Sequence, residues 1–316
     1  MSLKKLLCVC CLALMAGCIG NDPQTLLKKG NEARLKGDFE LASKYYSKAL
    51  EKQPDLVSAL SGRAMCLEQL SDKRRSREDY ERAIKSNPQF APAYNNYGAM
   101  LIDMDSYQEA IVQLTKAVEI QPEYAMAYMN RGKAYFQLKE STSAMQDLDK
   151  AVQLAPTYAL ARYNRGMVLF ALKRNTEAAA EFDKALELKP DSLLVREARG
   201  KVRMALSDYA GSAEDFGAIT FKNPGDGMAF FYRAYSLFKT GKVRDAADNV
   251  KAAISLLPRY GPAFELLGDI MALEDGQAAI TNYLVAKRLD PANSARYETK
   301  ISVLEEQDAA AAAPKK

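Results

Sequence analysis

Between residues 23 and 293 the apolar side chains keep two beats. The short beat is helical. Small and bulky apolar residues recur three and four positions apart, as in Ala42, Tyr46 and Ala49, which sets them on one helix face. The long beat is 34 residues. Prolines stand at Pro54, Pro88, Pro122, Pro156, Pro190, Pro224 and Pro258, each 34 apart, and Pro291 follows after 33. Phasing on them divides the chain into eight blocks: 23–56, 57–90, 91–124, 125–158, 159–192, 193–226, 227–260 and 261–293.

Within the blocks, size alternates at fixed places. The eighth residue is Gly30, Ala64, Gly98, Gly132, Gly166, Gly200, Ala234 or Gly268. The twentieth is Ala or Ser in every block, and the twenty-seventh is Ala except for Ile219. Between these, a bulky residue recurs: Tyr46, Tyr80, Leu114, Leu148, Phe182, Phe216, Val250 and Tyr283. Two helices approach closely only where the facing side chains are small, so each block predicts a pair of packed helices with the bulky residue beside their crossing. Proline ends the second helix by pushing its predecessor out of the α region. Gly37-Asp38, Asp105-Ser106 and Gly241 mark turns between helices. Asp22-Pro23 reads as an N-cap with Pro at the first helical position. After Pro291, a capping helix over 294–307 sets Tyr297, Ile301 and Leu304 on one face, able to cover the last block. The Ala-rich stretch 308–316 has nothing to bury and reads as a disordered tail.

These positions resemble the tetratricopeptide repeat (TPR), whose outline W-x2-L-G-x2-Y…A-x3-F…P they follow over residues 23–293. The resemblance implies an all-α fold, an α-solenoid wound as a right-handed superhelix of eight helix-turn-helix repeats. The Trp place holds Leu26, Leu60, Tyr94, Tyr128, Arg162, Arg196, Phe230 and Phe264, so blocks five and six carry Arg where an aromatic is expected. Together with Ile219, this puts block six furthest from the pattern. The last block lacks one residue near Leu273–Gln277, in its inter-helix turn.

Composition narrows the chemistry. The 316 residues contain no His, which removes Ser-His and Cys-His nucleophile pairs, His bases and His-containing metal sites. Lys plus Arg is 44 against 40 for Asp plus Glu, too even to predict nucleic-acid binding. Four of five cysteines lie in the first eighteen residues, leaving Cys66 alone in the body, where it reads as a buried inert thiol. No metal or cofactor is expected. Ser236-Leu237-Phe238-Lys239 and Lys239-Thr240-Gly241 resemble S-x-x-K and K-T-G, but they share one Lys where a catalytic site needs separate elements. Gly225-Asp226-Gly227 reads as an inter-repeat turn. The expectation is a protein that is not an enzyme.

The first residues read as an address. Lys4 and Lys5 precede an apolar run from Leu6 to Met15, too short to span a bilayer. Met15-Ala16-Gly17-Cys18 resembles the bacterial lipobox, with Met where Leu is usual. The resemblance implies a signal peptide over 1–17, lipidation of Cys18 (diacylglycerol and an amide-linked palmitate) and a short tether over 18–22. In a Gram-negative envelope, Ile19 rather than Asp after Cys18 points to the periplasmic face of the outer membrane rather than to the inner membrane. Of the 44 basic residues the leader takes Lys4 and Lys5, leaving 42 against 40 acidic. Five residue steps of at most ~3.6 Å hold the first helix within about 18 Å of the lipid.

Two candidate surfaces follow from the repeat. In the TPR family the first helices line a concave groove, and Asn is common at the sixth place of a block, here Asn96, Asn130 and Asn164. Their carboxamides are placed either to pair with an extended peptide or to tie helices together. Met129, Tyr163, Met167, Phe170, Phe231 and Tyr235, with Met126, Phe136 and Phe238, fall on the same helices and suit apolar peptide side chains. Arg162, Arg165, Arg196, Arg199 and Arg203 form either a basic patch for an acidic partner or a set of guanidiniums paired with Glu177, Glu181 or Asp191. The run Asp72–Asp79 is mixed in sign and reads as an internally paired surface. Lys28-Lys29-Gly30-Asn31 matches part of the carboxylate clamp of chaperone-docking members, but the remaining clamp places hold Leu27, Gly62, Pro92 and Asn96, against that function. The expected role is a lipid-anchored scaffold or adaptor of the bacterial envelope that binds a protein or extended peptide. The alternative is a pilotin-like assembly factor for a pilus or secretion complex.

Overall fold

The computed structural model describes residues 22–312, so the leader, Cys18, the tether through Asn21 and the last four residues lie outside the described residues. Asp22 opens the first helix, its Oδ1 accepting from the backbone N–H groups of Gln24 and Thr25 at 3.0 Å each. Pro23 stands at the first helical position, where no N–H is needed.

Two compact units divide between Thr157 and Tyr158. The first holds four helical hairpins: α1 (Pro23–Leu35) with α2 (Phe39–Lys52), α3 (Val57–Gln69) with α4 (Lys73–Ser86), α5 (Ala91–Ile102) with α6 (Tyr107–Ile120), and α7 (Ala125–Gln137) with α8 (Ser141–Leu154). The second holds four more: α9 (Ala159–Ala171) with α10 (Asn175–Leu188), α11 (Leu193–Ala205) with α12 (Tyr209–Lys222), α13 (Gly227–Lys239) with α14 (Val243–Leu256), and α15 (Gly261–Met271) with α16 (Gly276–Leu289). A 3₁₀ turn (Pro291–Asn293) and α17 (Ser294–Ala312) close it. Among the described residues there is no strand. In each unit every helix packs on its hairpin partner and on the next helix along the chain.

In six hairpins the crossing is a glycine pressed onto a ring or a leucine, and in the other two Ala64 or Ala234 takes its place. A Cβ built at Gly30 would lie 2.6 Å from the Tyr46 ring, one at Gly98 2.5 Å from Leu114, and one at Gly166 2.6 Å from Phe182. Tyr46 also faces Gly62 of the following hairpin, 2.7 Å from where its Cβ would stand, so one ring fills the gap between two successive hairpins. Tyr46, Tyr80, Phe182 and Phe216 are fully buried.

Seven of the eight inter-helix turns share one geometry. Residues 37, 71, 105, 139, 173, 207 and 241, again 34 apart, all adopt positive φ. The N–H of each such residue returns to the carbonyl three before it, and the next N–H to the carbonyl five before, as in Lys173 to Phe170 and Arg174 to Leu169. This Schellman pattern satisfies the last carbonyls of the first helix. Only Gly37 and Gly241 occupy the left-handed position without a Cβ; Ser71, Asp105, Lys139, Lys173 and Ser207 bear its cost. Lys173→Gly is therefore expected to stabilise the second unit by about 0.5–1 kcal/mol, the relief exceeding glycine's extra chain entropy. A thermal melt in which Lys173→Gly unfolds earlier than the parent would contradict this. The eighth turn, one residue shorter, lacks the motif, and both Glu274 and Asp275 donate to Met271 O.

Block six packs despite its departures. Ile219 is buried with Phe216 and Ala229, against Leu193, Met204 and Tyr232. At the far end Tyr297 and Leu304 are buried, with Ile301 packed on Ala279 and Tyr283. The Tyr297 hydroxyl donates to Asp290 at 2.9 Å. One boundary differs from the sequence reading: α17 does not stop at Gln307 but continues to Ala312. Alanine is the best helix former, and nothing in residues 308–312 breaks the helix.

Candidate functional site

The seventh residue of each block sits on the first helix of a hairpin, and the twenty-third on the second helix, sixteen residues on. Arg63 donates to Asp79 through Nε (2.7 Å) and Nη2 (2.8 Å), and to Ser47 of the preceding hairpin at 3.0 Å. Arg131 repeats this with Asp147 and Thr115. In the second unit Arg165 donates to Glu181 at 2.9 Å, and Arg199 to Asp215 and Asp183. Planar forks on buried carboxylates fix the rotation of one helix against the other. Burial opposes the Arg199 charge, but its hydrogen bonds to Asp215 and Asp183 prevail and raise its pKa.

This ladder corrects the basic patch. Arg162 and Arg165 both pair with Glu181, Arg203 with Asp215 and Asp208, and Arg196 donates to Pro190 O and lies 3.6 Å from Asp215. The paired alternative describes the geometry, with different partners. Of the three carboxylates named for it, Glu181 takes part, whereas Glu177 pairs with Arg174 and Asp191 with Lys222. The missed signal was in the phasing itself: Arg63, Arg131, Arg165 and Arg199 recur in register, each with Asp or Glu sixteen residues later. The mixed run behaves as read at its surface, where Arg74 meets Glu78 at 2.6 Å, while Asp79 turns inward to Arg63.

The Asn row divides between the units. In the first, Asn130 Nδ2 donates to Asn95 Oδ1, and Asn95 Nδ2 donates to Asn96 Oδ1, both at 3.0 Å. Asn96 Nδ2 faces Met65 Sδ at 3.5 Å. The chain of amides ties α3, α5 and α7 together, and Asn130 is buried. Met129 is buried too, so it fills the interior rather than presenting a surface. These two are corrections to the groove list; Asn96 remains partly exposed. Asn95, which the sequence reading passed over, is the hub. Asn164 belongs to the second unit and is half-buried.

In the second unit, three groove candidates come together. Tyr163, Met167 and Phe170 of α9 line a cleft of about 230 Å³ with Leu194, Glu197, Ala198 and Lys201 of α11. All three are half-buried, and Leu194 is 53% exposed. Tyr163 packs on Phe182, 6.0 Å between ring centres. Lys201 pairs with Glu197 at 2.6 Å and lies over the Tyr232 ring, leaving a charged edge beside an apolar floor. Phe231 and Tyr235 on α13 sit apart from this cleft. Phe231 packs edge-on against Tyr260 and Tyr232, and Tyr235 against Tyr209 under Lys239.

The motif fragments resolve into structure. Ser236 is fully buried and donates to Ser212 at 2.9 Å, and Gly241 is a turn residue with φ of 77°. Asp226 caps α13 through the Ala229 N–H. Cys66 is buried, and burial first, with Glu68 adding, pushes its thiol up to about 11 against the pull of Arg34. Among the described residues no group of three Cys, Asp or Glu is placed to hold a metal ion, and no helix is long and apolar enough to cross a membrane.

Successive hairpins, each crossed at a small residue and ended at a proline, define a helical repeat protein of the interaction class. The chain belongs to the tetratricopeptide repeat family. Family models described as tetratricopeptide repeat match residues 27–89, 79–112, 125–158, 159–192 and 197–261, and one described as TPR repeat matches 98–139. Repeats of this kind bind proteins or peptides. No curated protein matches the sequence. Among solved structures, Pseudomonas aeruginosa PilF is similar at a TM-score of 0.58 and 20% identity, over 65% of this chain and 93% of its own. YrrB, a TPR protein with an unusual peptide-binding site, is similar at 0.52 and 23%, over 59% and 96%. A chain of the APC/C hetero-tetramer Cut9–Hcn1 reaches 0.59 at 16%, over 89% and 55%. At these identities the likeness is one of fold.

Proposed function

We propose that this protein is a membrane-anchored scaffold of a bacterial envelope, held by a lipid on Cys18, which presents the first helices of its repeats to an extended peptide or protein partner. The observation that carries the binding role is the cleft of Tyr163, Met167 and Phe170, where aromatic and thioether side chains stay half-open instead of closing into the core. Supporting the anchor is the order of basic start, short apolar run and Met15-Ala16-Gly17-Cys18. The pilotin-like role stays second. PilF shares the fold, which by itself does not separate an assembly factor from an adaptor.

One experiment tests both halves. A photo-crosslinking residue replaces Met167 in the parent and in Cys18→Ala, expressed in cells with labelled palmitate. The parent is expected to carry label, sediment with membranes and give a discrete adduct. Cys18→Ala is expected to lose the label and the membrane association. Label and sedimentation retained without Cys18 would overturn the anchor, and an absence of adducts from Met167 in both chains would overturn the groove.

A further inference from the structure

The Arg–carboxylate ladder breaks once where its arginine is kept. Arg233 of α13 occupies the same place as Arg63, Arg131, Arg165 and Arg199, but sixteen residues on stands Asn249, and sixteen before stands Gly217. In the intact rungs those two places supply Asp79 with Ser47, Asp147 with Thr115, and Asp215 with Asp183. Both kinds of acceptor are gone. What remains to Arg233 is one hydrogen bond from Nη1 to Thr220 Oγ1, at 3.2 Å. Its Nε is buried with no hydrogen-bond partner, and so is Asn249 Oδ1. Among the described residues, no ion pair includes Arg233.

The Arg233 guanidinium lies against Gly217, its Nε 3.4 Å from where a Cβ would stand. A cleft of about 420 Å³ opens between α12, α13 and the start of α14, with Gly217, Arg233 and Leu237 in its walls and the exposed Thr240 and Lys242 beside them. We propose that this cleft binds a carboxylate of a partner peptide, with Arg233 as its anchoring cation. The class of ligand follows from the chain's own precedent: in the other four rungs with Arg at this place, the guanidinium takes Asp or Glu. An external carboxylate restores the missing half of the pair, and Lys242 adds positive charge at the mouth. Glu214 and Asp245, also exposed in the lining, face the backbone N–H groups or basic neighbours of such a peptide and disfavour a ligand of higher negative charge. The site is separate from the Tyr163 cleft and does not depend on what that cleft binds.

The test uses the whole protein and acetate as probe. The Nε–H resonance of Arg233 is assigned by its loss in Arg233→Gln and followed in acetate titrations at constant ionic strength, with chloride as control. A saturable shift in the parent is expected. In Asn249→Asp the chain supplies the carboxylate itself, so acetate affinity is expected to fall at least ten-fold while the melting temperature rises. A blocked peptide with one Glu, and a peptide whose only carboxylate is its C-terminus, distinguish side-chain from terminal sources by which one competes with acetate. No saturable shift in the parent, or an equal shift in Asn249→Asp, overturns the assignment.

Discussion

Asp215→Ala is expected to cost the second unit about 3–5 kcal/mol. Its carboxylate is 1% exposed and is the acceptor on which three arginines converge. Arg199 reaches it through Nε and Nη2 at 2.9 and 2.5 Å, Arg203 through Nη1 at 3.0 Å, and Arg196 stands 3.6 Å away. Removing it leaves partly buried guanidiniums facing one another without their counter-ion. Asp191, by contrast, is 89% exposed in its pair with Lys222, and Asp191→Ala is expected to change stability by under ~1 kcal/mol. Denaturant melts of the two variants beside the parent decide the matter. A loss for Asp215→Ala no larger than that for Asp191→Ala would show that the cluster does not hold α11 against α12.

The same residues show how far the sequence could be read. The hairpins were legible because packing imposes size at fixed places: Gly166 against Phe182 is a contact that tolerates no Cβ, and the same place holds glycine in six blocks and alanine, the next smallest, at Ala64 and Ala234. The turns were legible only where glycine or a turn residue announced them, at Gly37, Asp105 and Gly241. Lys139, Lys173 and Ser207 adopt the same backbone through the Schellman hydrogen bonds of the helix end, which no residue type advertises. Charge was the harder layer. Pairing of Arg162 with Glu181 was one of the two readings the sequence offered, but Asp215 was not among the carboxylates named, because the fold, not the local sequence, brings it to Arg196 and Arg199 from the second helix. The Asn row was visible as a period, but a period cannot say whether an amide faces a ligand or another amide. Asn95, one place off the beat, turns Asn96 and Asn130 toward each other's helices. The break at Arg233 becomes visible only once the intact rungs are known.

Glu68→Gln is expected to remove a pH dependence from the first unit. The Glu68 carboxyl on α3 accepts from the Tyr80 hydroxyl of α4 at 2.5 Å. Burial pushes its pKa from 4.5 up to about 7, and the Asp103 carboxylate adds to the rise against the pull of the Tyr80 and Ser76 hydroxyls. Arg34 and the Cys66 thiol complete the charged and titratable surroundings through Tyr80. In the unfolded chain Glu68 ionises near its ordinary value. Below about pH 4.5 both states are protonated and the group costs nothing. As pH rises the unfolded chain releases this proton first, so the contribution of Glu68 to stability is lost progressively up to and through pH 7, by about 3 kcal/mol in all. Gln keeps an acceptor for Tyr80 and cannot ionise. The melting temperatures of parent and Glu68→Gln are therefore expected to differ least near pH 4.5, with the variant gaining steadily to pH 8. The ion pairs elsewhere respond to pH equally in both proteins, so the difference between the two curves isolates this carboxyl. A difference that stays flat from pH 4.5 to 8 would mean that Glu68 ionises in the folded protein as freely as in water.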